Sequence, residues 1–292
     1  MGNDKGRAFH KGIAVLICAA TTVFGPVFPV LAASPQRVVS TFLCTDEYVY
    51  RLLPRQAIAA LSFEAVDRHP VVSTIADVAV GIPTIRPSTE VVMALKPDLV
   101  VMFAGTNPRL HQNLKRLGLA VLDVPGANSL ADIRATTLML GDRLGVPDNA
   151  RALLAEMDAK IAAAKAAAPK PPVSAILFEP QGYAAVQGVT EEVLRLSGIT
   201  NVAPTLTRTG QLPVEAVIAA APELLILGGE EKSGSARAYA ILHHPAFKAL
   251  EGRTHMEFAT LTPLLCPGPW SVDSAKPLAA LAGRARRSHS RP

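Results

Sequence analysis

The chain has 292 residues, with 29 Lys and Arg against 24 Asp and Glu, for a formal charge of +5. The excess sits at the ends: residues 1–32 carry +2 and the four arginines of 284–292 carry +4, which leaves −1 for the stretch between. A near-neutral body excludes a nucleic-acid surface, which needs a clustered basic face, and three cysteines exclude a disulfide-built scaffold.

Residues 1–32 read as a Sec-type signal peptide. Lys5, Arg7 and Lys11 precede an apolar run over 12–20, and Val30-Leu31-Ala32 offers small residues to a peptidase. Pro26 and Pro29 interrupt the run, which is short for a membrane span. Cys18 follows Leu16-Ile17, whereas a lipoprotein cleavage site wants a small residue there. The expected product is exported to the periplasm, with Cys44 and Cys266 as its two cysteines.

Apolar runs then predict strands over 37–40, 58–62, 99–103, 121–124, 175–178 and 224–227. Amphipathic stretches at 109–117 and 130–144 lie between them, and this strand–helix alternation predicts mostly parallel α/β sheets. The middle differs. After Pro147, with Asp148 as the expected cap, Leu154, Met157 and Ile161 recur at helical spacing, and alanine dominates to Ala168. Pro169-Lys170-Pro171-Pro172 ends this helix, which would span roughly 30 Å.

One unit occurs twice. Residues 87–101 read PSTEVVMALKPDLVV and residues 213–227 read PVEAVIAAAPELLIL. Each is a short helix with a glutamate at its start, Glu90 or Glu215, then a Pro-acid pair and an aliphatic strand. Recurrence about 125 residues apart predicts two similarly built lobes with a cleft between them. The predicted organisation is a signal peptide over 1–32, lobes over 33–147 and 170–283, a connecting helix over 148–169, and a disordered basic tail over 284–292.

Several segments resemble the periplasmic binding proteins of ABC importers for cobalamin, haem and ferric siderophores. RVVSTFLCTDEYVYRLLP is similar to that family's first strand, loop and helix, and PSTEVVMALKPDLVV to its most recognisable segment. QGVTEEVLRLSGITNV, PVEAVIAAAPELLIL, HHPAFKAL and LCPGPW follow in the family's order, so the resemblance covers roughly 36–283. It implies two Rossmann-like lobes joined by one long α-helix. It also implies a metal-chelate ligand, a permease dimer as partner, a monomeric protein and no resident cofactor. Glu90 and Glu215 match the glutamates that dock to permease arginines. Taken without the resemblance, each is a first-turn carboxylate favoured by the helix dipole.

Loops after parallel strands should line the cleft, which selects 41–45, 63–69, 103–107, 179–183, 228–230 and 266–270. The candidate ligand-binding residues are Thr45, Phe63, His69, Phe103, Gly105, Thr106, Asn107, Arg109, Tyr183, Gly229 and Trp270. Phe63, Phe103, Tyr183 and Trp270 are the aromatic walls a planar chelate wants, with a core role as the alternative for the phenylalanines. Trp270 follows Pro-Gly-Pro and should report ligand binding by its fluorescence. Arg109 either meets a ligand carboxylate or is a solvated helix start. His69 stands where haem-binding members often carry a tyrosine; imidazole can ligate iron or cobalt, and an ordinary loop histidine is the alternative. His243-His244 resembles a scaffold helix start rather than a metal pair.

Cys44 and Cys266 should lie on loops facing one groove, either bonded across the lobes or as two separate thiols. No GxSxG, HExxH, CxxC, GxGxxG or Walker motif occurs, so nothing argues for catalysis. The rival readings are an exported hydrolase of chelates or esters on a similar scaffold, and a structural or sensory partner that binds no small molecule.

Overall fold

The computed structural model describes residues 1–2, 34–68, 72–229 and 237–289. The expected signal peptide beyond its first two residues, His69, residue 230 of the expected 228–230 cleft loop and the last three residues of the expected tail therefore lie outside the described residues. The first sheet holds β1 (Val38–Ser40), β2 (Ile58–Ser62), β3 (Thr84–Ile85), β4 (Leu99–Phe103) and β5 (Val121–Val124). Its order is β3-β2-β1-β4-β5, and every pairing is parallel. Helices α1 (Leu43–Leu52), α2 (Thr89–Ala94), α3 (Pro108–Arg116) and α4 (Leu130–Arg143) accompany it.

After α5 (Pro147–Ala167) the second sheet is built from β6 (Val173–Glu179), β7 (Tyr183–Ala184), β8 (Ile199–Asn201), β9 (Leu224–Gly228) and β10 (His255–Ala259). The order is β10-β9-β6-β7, with β8 paired to β6, and only β7 runs antiparallel. Around it lie α6 (Gly188–Leu196), α7 (Ala203–Leu206), α8 (Val214–Ala220), α9 (Thr262–Leu265) and α10 (Ala275–His289). The fold is thus two Rossmann-like lobes joined by one long helix.

The sequence repeat has a physical reason. Asp98, just before β4, accepts hydrogen bonds from the backbone N–H groups of Gln36 and Arg37 at 2.6 and 3.1 Å, which pins the start of β1. Glu223, just before β9, accepts from the N–H of Ser174 at 2.8 Å and pins β6 in the same way. Each Pro-acid pair therefore fixes the register of its own central strand pair. A charged acceptor on backbone donors is about twice as strong as a neutral one.

Helix α5 begins at Pro147, one residue earlier than expected, and Val146 rather than Asp148 is its cap. Proline suits the first helical position because its missing donor is an orphan there anyway. Ala150 of α5 packs into the core of the first lobe. Leu154, Met157 and Ala164 pack into that of the second. One helix is thereby embedded in both cores.

Two expectations are corrected. The tail from Arg284 is not frayed: α10 runs to His289. Arg284 pairs with Glu257 at 2.5 Å, and Arg286 donates to the carbonyls of Pro171 and Pro172 at 2.8 Å. The 266–270 segment is not a free cleft loop either. Trp270 is 2% exposed and belongs to the core of the first lobe, so the end of the chain crosses back over the junction. No helix among the described residues is long and apolar enough to cross a membrane.

Candidate functional site

The carboxyl ends of β6, β9 and β10 open on one cavity of about 590 Å³. Glu179, Pro180 and Tyr183 come from the end of β6 and the turn after it, and Gly228 and Gly229 from the end of β9. Thr260, Leu261, Leu264 and Leu265 come from the segment after β10. Val72, from the first lobe, closes the opposite side, so the cavity lies at the junction of the lobes. Its size is that of a small-molecule site, and its position follows the rule for ligands at strand ends.

Gly229 has φ +153, a conformation that side chains rarely adopt, and a Cβ there would lie 3.0 Å from Tyr239 Cε1. Glycine is needed at this point for the Tyr239 ring to pack against the cavity wall. Tyr183 is 45% exposed and presents its ring to the cavity. Glu179 lines the same wall, and its burial raises the carboxyl above the usual carboxylate range.

Beside the cavity, Cys44 and Cys266 form a disulfide with their Cα atoms 4.9 Å apart, although Cys44 lies in α1 rather than in a loop. Phe42, Val72 and Phe103 pack around the bond. Of the two readings of these cysteines, the bonded one holds. Phe103 is half-buried against Phe42, with ring centroids 5.5 Å apart, and flanks the disulfide rather than the cavity. Phe63 is also half-buried, with the Arg86 guanidinium 3.9 Å from its ring centre.

The remaining candidates fall elsewhere. Thr45 is fully buried; its Oγ1 lies 2.7 Å from Ser40 Oγ and donates to the Phe42 carbonyl at 2.8 Å. It was expected in a loop, but α1 starts at Leu43 with no side-chain cap to mark it. Trp270 is turned away from the cavity: its Nε1–H donates to the Cys266 carbonyl at 2.8 Å. A Cβ on Gly268 would fall 2.3 Å from the indole, so the Pro-Gly-Pro segment folds its tryptophan inward instead of presenting it.

Thr106 donates to the Phe103 carbonyl at 2.7 Å, and Asn107 accepts from the Leu110 N–H at 3.2 Å, capping α3. Gly105 is exposed with φ +82. Asn107 and Arg109 line a separate polar hollow of about 290 Å³ together with Ser88 and Glu90. Glu90 is exposed, and its carboxyl is held below the usual range by its own backbone N–H, by Ser88 and by Arg109. Glu215 is exposed in the first turn of α8. His244 caps the turn at Ala246 through Nδ1 at 3.3 Å, and His243 stacks on Phe258. Among the described residues no three His, Cys, Asp or Glu side chains converge to hold a metal ion.

Of the residues expected at strand ends, Tyr183 and Gly229 line this cavity; Tyr239 and the Thr260–Leu265 segment line it too and were not expected there. The missing signal was β10, whose sequence HMEFA is half-buried along its whole length and lacks the aliphatic run of the other strands. Two α/β lobes with a cavity at the strand ends of the second, closed by Val72 of the first, have the geometry of a site for a small solute.

The comparisons make this specific. The sequence profile described as periplasmic binding protein matches residues 38–257, and the chain belongs to that family. It is a family of non-enzymatic solute-binding proteins that serve ABC importers, and the hydrolase reading is set aside on that ground. Family membership places the chain's work outside the cytoplasm.

Solved structures share the fold. A possible iron-binding periplasmic solute-binding protein from Staphylococcus epidermidis is 21% identical, with 85% of this chain and 98% of that one covered at TM-score 0.69. The periplasmic haem-binding protein HutB of Vibrio cholerae is 18% identical, with 84% and 98% covered at TM-score 0.69. An ABC-type Fe3+-hydroxamate transport protein from Saccharomonospora viridis is 20% identical, with 88% and 94% covered at TM-score 0.60. No curated protein matches the sequence.

Proposed function

We propose that this protein is exported by its N-terminal signal, captures a metal chelate in the cavity between its lobes, and hands it to the permease dimer of an ABC importer. The chelate is a ferric siderophore, a corrinoid or haem. The observation that carries this reading is the cavity of about 590 Å³ at the lobe junction, walled by Tyr183, Tyr239 and apolar side chains. A concave wall of aromatic and aliphatic side chains interspersed with hydroxyl groups and one carboxyl suits a large planar or globular chelate.

Glu90 and Glu215 are the proposed docking contacts. Both are exposed in first turns, one in each lobe, and both stand outside the main cavity. The protein acts as a monomer, so that one lobe faces each half of the permease. Absorbance and native mass spectrometry of the protein purified from its own periplasm test the reading. A co-purifying chromophore or chelate is expected, together with thermal stabilisation when it is added back. Lack of stabilisation by any chelate of the three kinds would overturn it.

A further inference from the structure

Glu179 is the only side chain carrying a full charge among the described residues that line the main cavity; the other ionisable groups there are the phenols of Tyr183 and Tyr239. Among the described lining residues no lysine, arginine or histidine joins them. The carboxylate stands at the last residue of β6, where the adjoining β9 has a glycine: a Cβ on Gly228 would lie 3.1 Å from Glu179 Cγ. The side chain thus occupies the space that Gly228 leaves and meets the cavity from the strand end. It makes no hydrogen bond or ion pair with any described residue.

A partly buried carboxylate without a partner is costly, and here burial alone pushes its carboxyl above the ordinary value. A group of this kind on a binding wall is compensated when the occupant brings the missing donor. Resting on the chelate reading above, we infer that Glu179 is a specificity-determining residue. It selects a chelate that turns an ammonium or N–H donors to the second lobe, and it rejects one that turns carboxylates there. Among the chelates considered, this favours ferric hydroxamates and the amide-fringed corrinoids. It disfavours haem, whose two carboxylates would meet a like charge with no cation on the described wall to receive them.

The test is calorimetric titration of the wild type and Glu179→Gln. Gln keeps the size of the side chain and an acceptor oxygen, and loses the charge. The probes are ferrioxamine B, which carries a free ammonium, its N-acetylated form, which does not, and haem. The wild type is expected to bind ferrioxamine B about tenfold more tightly than the acetylated form, the scale of one hydrogen bond to a charged group. Glu179→Gln should erase that ratio and bind haem more tightly than the wild type does. An unchanged ratio, or no gain for haem, would overturn the role of Glu179 while leaving the chelate reading in place. No heat with the wild type from any of these or from cyanocobalamin would sink the chelate reading itself, and this inference with it.

Discussion

The ring of Trp270 stands edge-on to that of Tyr48, with centroids 4.8 Å apart at 67°. The first comes from the end of the chain and the second from its first helix, and both are almost wholly buried. The Arg51 guanidinium lies 4.5 Å from the indole centre, and Arg51 also pairs with the buried Glu47. Helix α1 is buried on nearly all its faces. Strands β1, β2 and β4 and helix α5 pack on it, and Trp270 and Cys266 of the C-terminal segment meet it through Tyr48, Arg51 and Cys44.

Trp270→Ala is therefore expected to destabilise the protein by about 3–5 kcal/mol, the range for removing a large buried aromatic. Urea unfolding measures it. The same burial predicts emission from the free protein at short wavelength and unmoved by ligand. A shift of the emission maximum to long wavelength on saturation with a bound chelate would contradict the geometry.

The Cys44–Cys266 bond closes a loop with a sequence separation of 222 residues. On the chain-entropy argument, losing such a cross-link costs about 5 kcal/mol. Cys44→Ser with Cys266→Ser should lower the unfolding free energy by that order. Thiol titration of the denatured mature chain before reduction should read close to zero; two titratable thiols would refute the bond.

Glu90→Ala and Glu215→Ala should leave chelate affinity unchanged, because neither residue lines the cavity. Uptake through the reconstituted importer should fall at least about tenfold in the double variant, as loss of charge complementarity at a docking surface would produce. Normal transport by that variant would remove the docking role.

Asp46 is fully buried in α1 and accepts from the Ser62 N–H at 3.0 Å and from the Ser62 hydroxyl at 2.5 Å. Burial outweighs these bonds and raises its carboxyl to about 7. The folded state then holds a proton that the unfolded state releases near the ordinary carboxylate value. Stability from this group is fully present below about pH 4 and is lost as the pH rises to about 7, on the order of 4 kcal/mol. Asp46→Asn should flatten that slope. Denaturation midpoints that fall in parallel for both proteins between these limits would show that another group is responsible.

Much of the fold was legible because its central strands are aliphatic runs and its joining helix has a clear 3.6-residue period. The cavity was less so. Tyr183 and Gly229 follow strands that announce themselves, whereas Thr260–Leu265 follows β10, whose polar residues hide it. Thr45 was misplaced because α1 opens without a capping side chain, so nothing in TFLCT marks where the loop ends. Trp270 was misplaced because Pro-Gly-Pro looks like an exposed turn; that its glycine makes room for the indole depends on contacts with α1, which no local pattern contains. Arg109 follows a strand-end loop as expected, but α3 carries it toward Glu90.

The lobes are held together by α5, by the C-terminal segment that buries Trp270 in the first core, and by the sulfur bridge, which anchors that segment covalently. The mechanics of the molecule therefore depend on where it is made. A chain matured in an oxidising compartment has that segment locked to α1, whereas the same chain prepared in a reducing cytoplasm holds it by packing alone. Small-angle scattering of the two preparations would differ even before a ligand is added, and affinities measured on the reduced form would describe a looser container than the one that meets the permease.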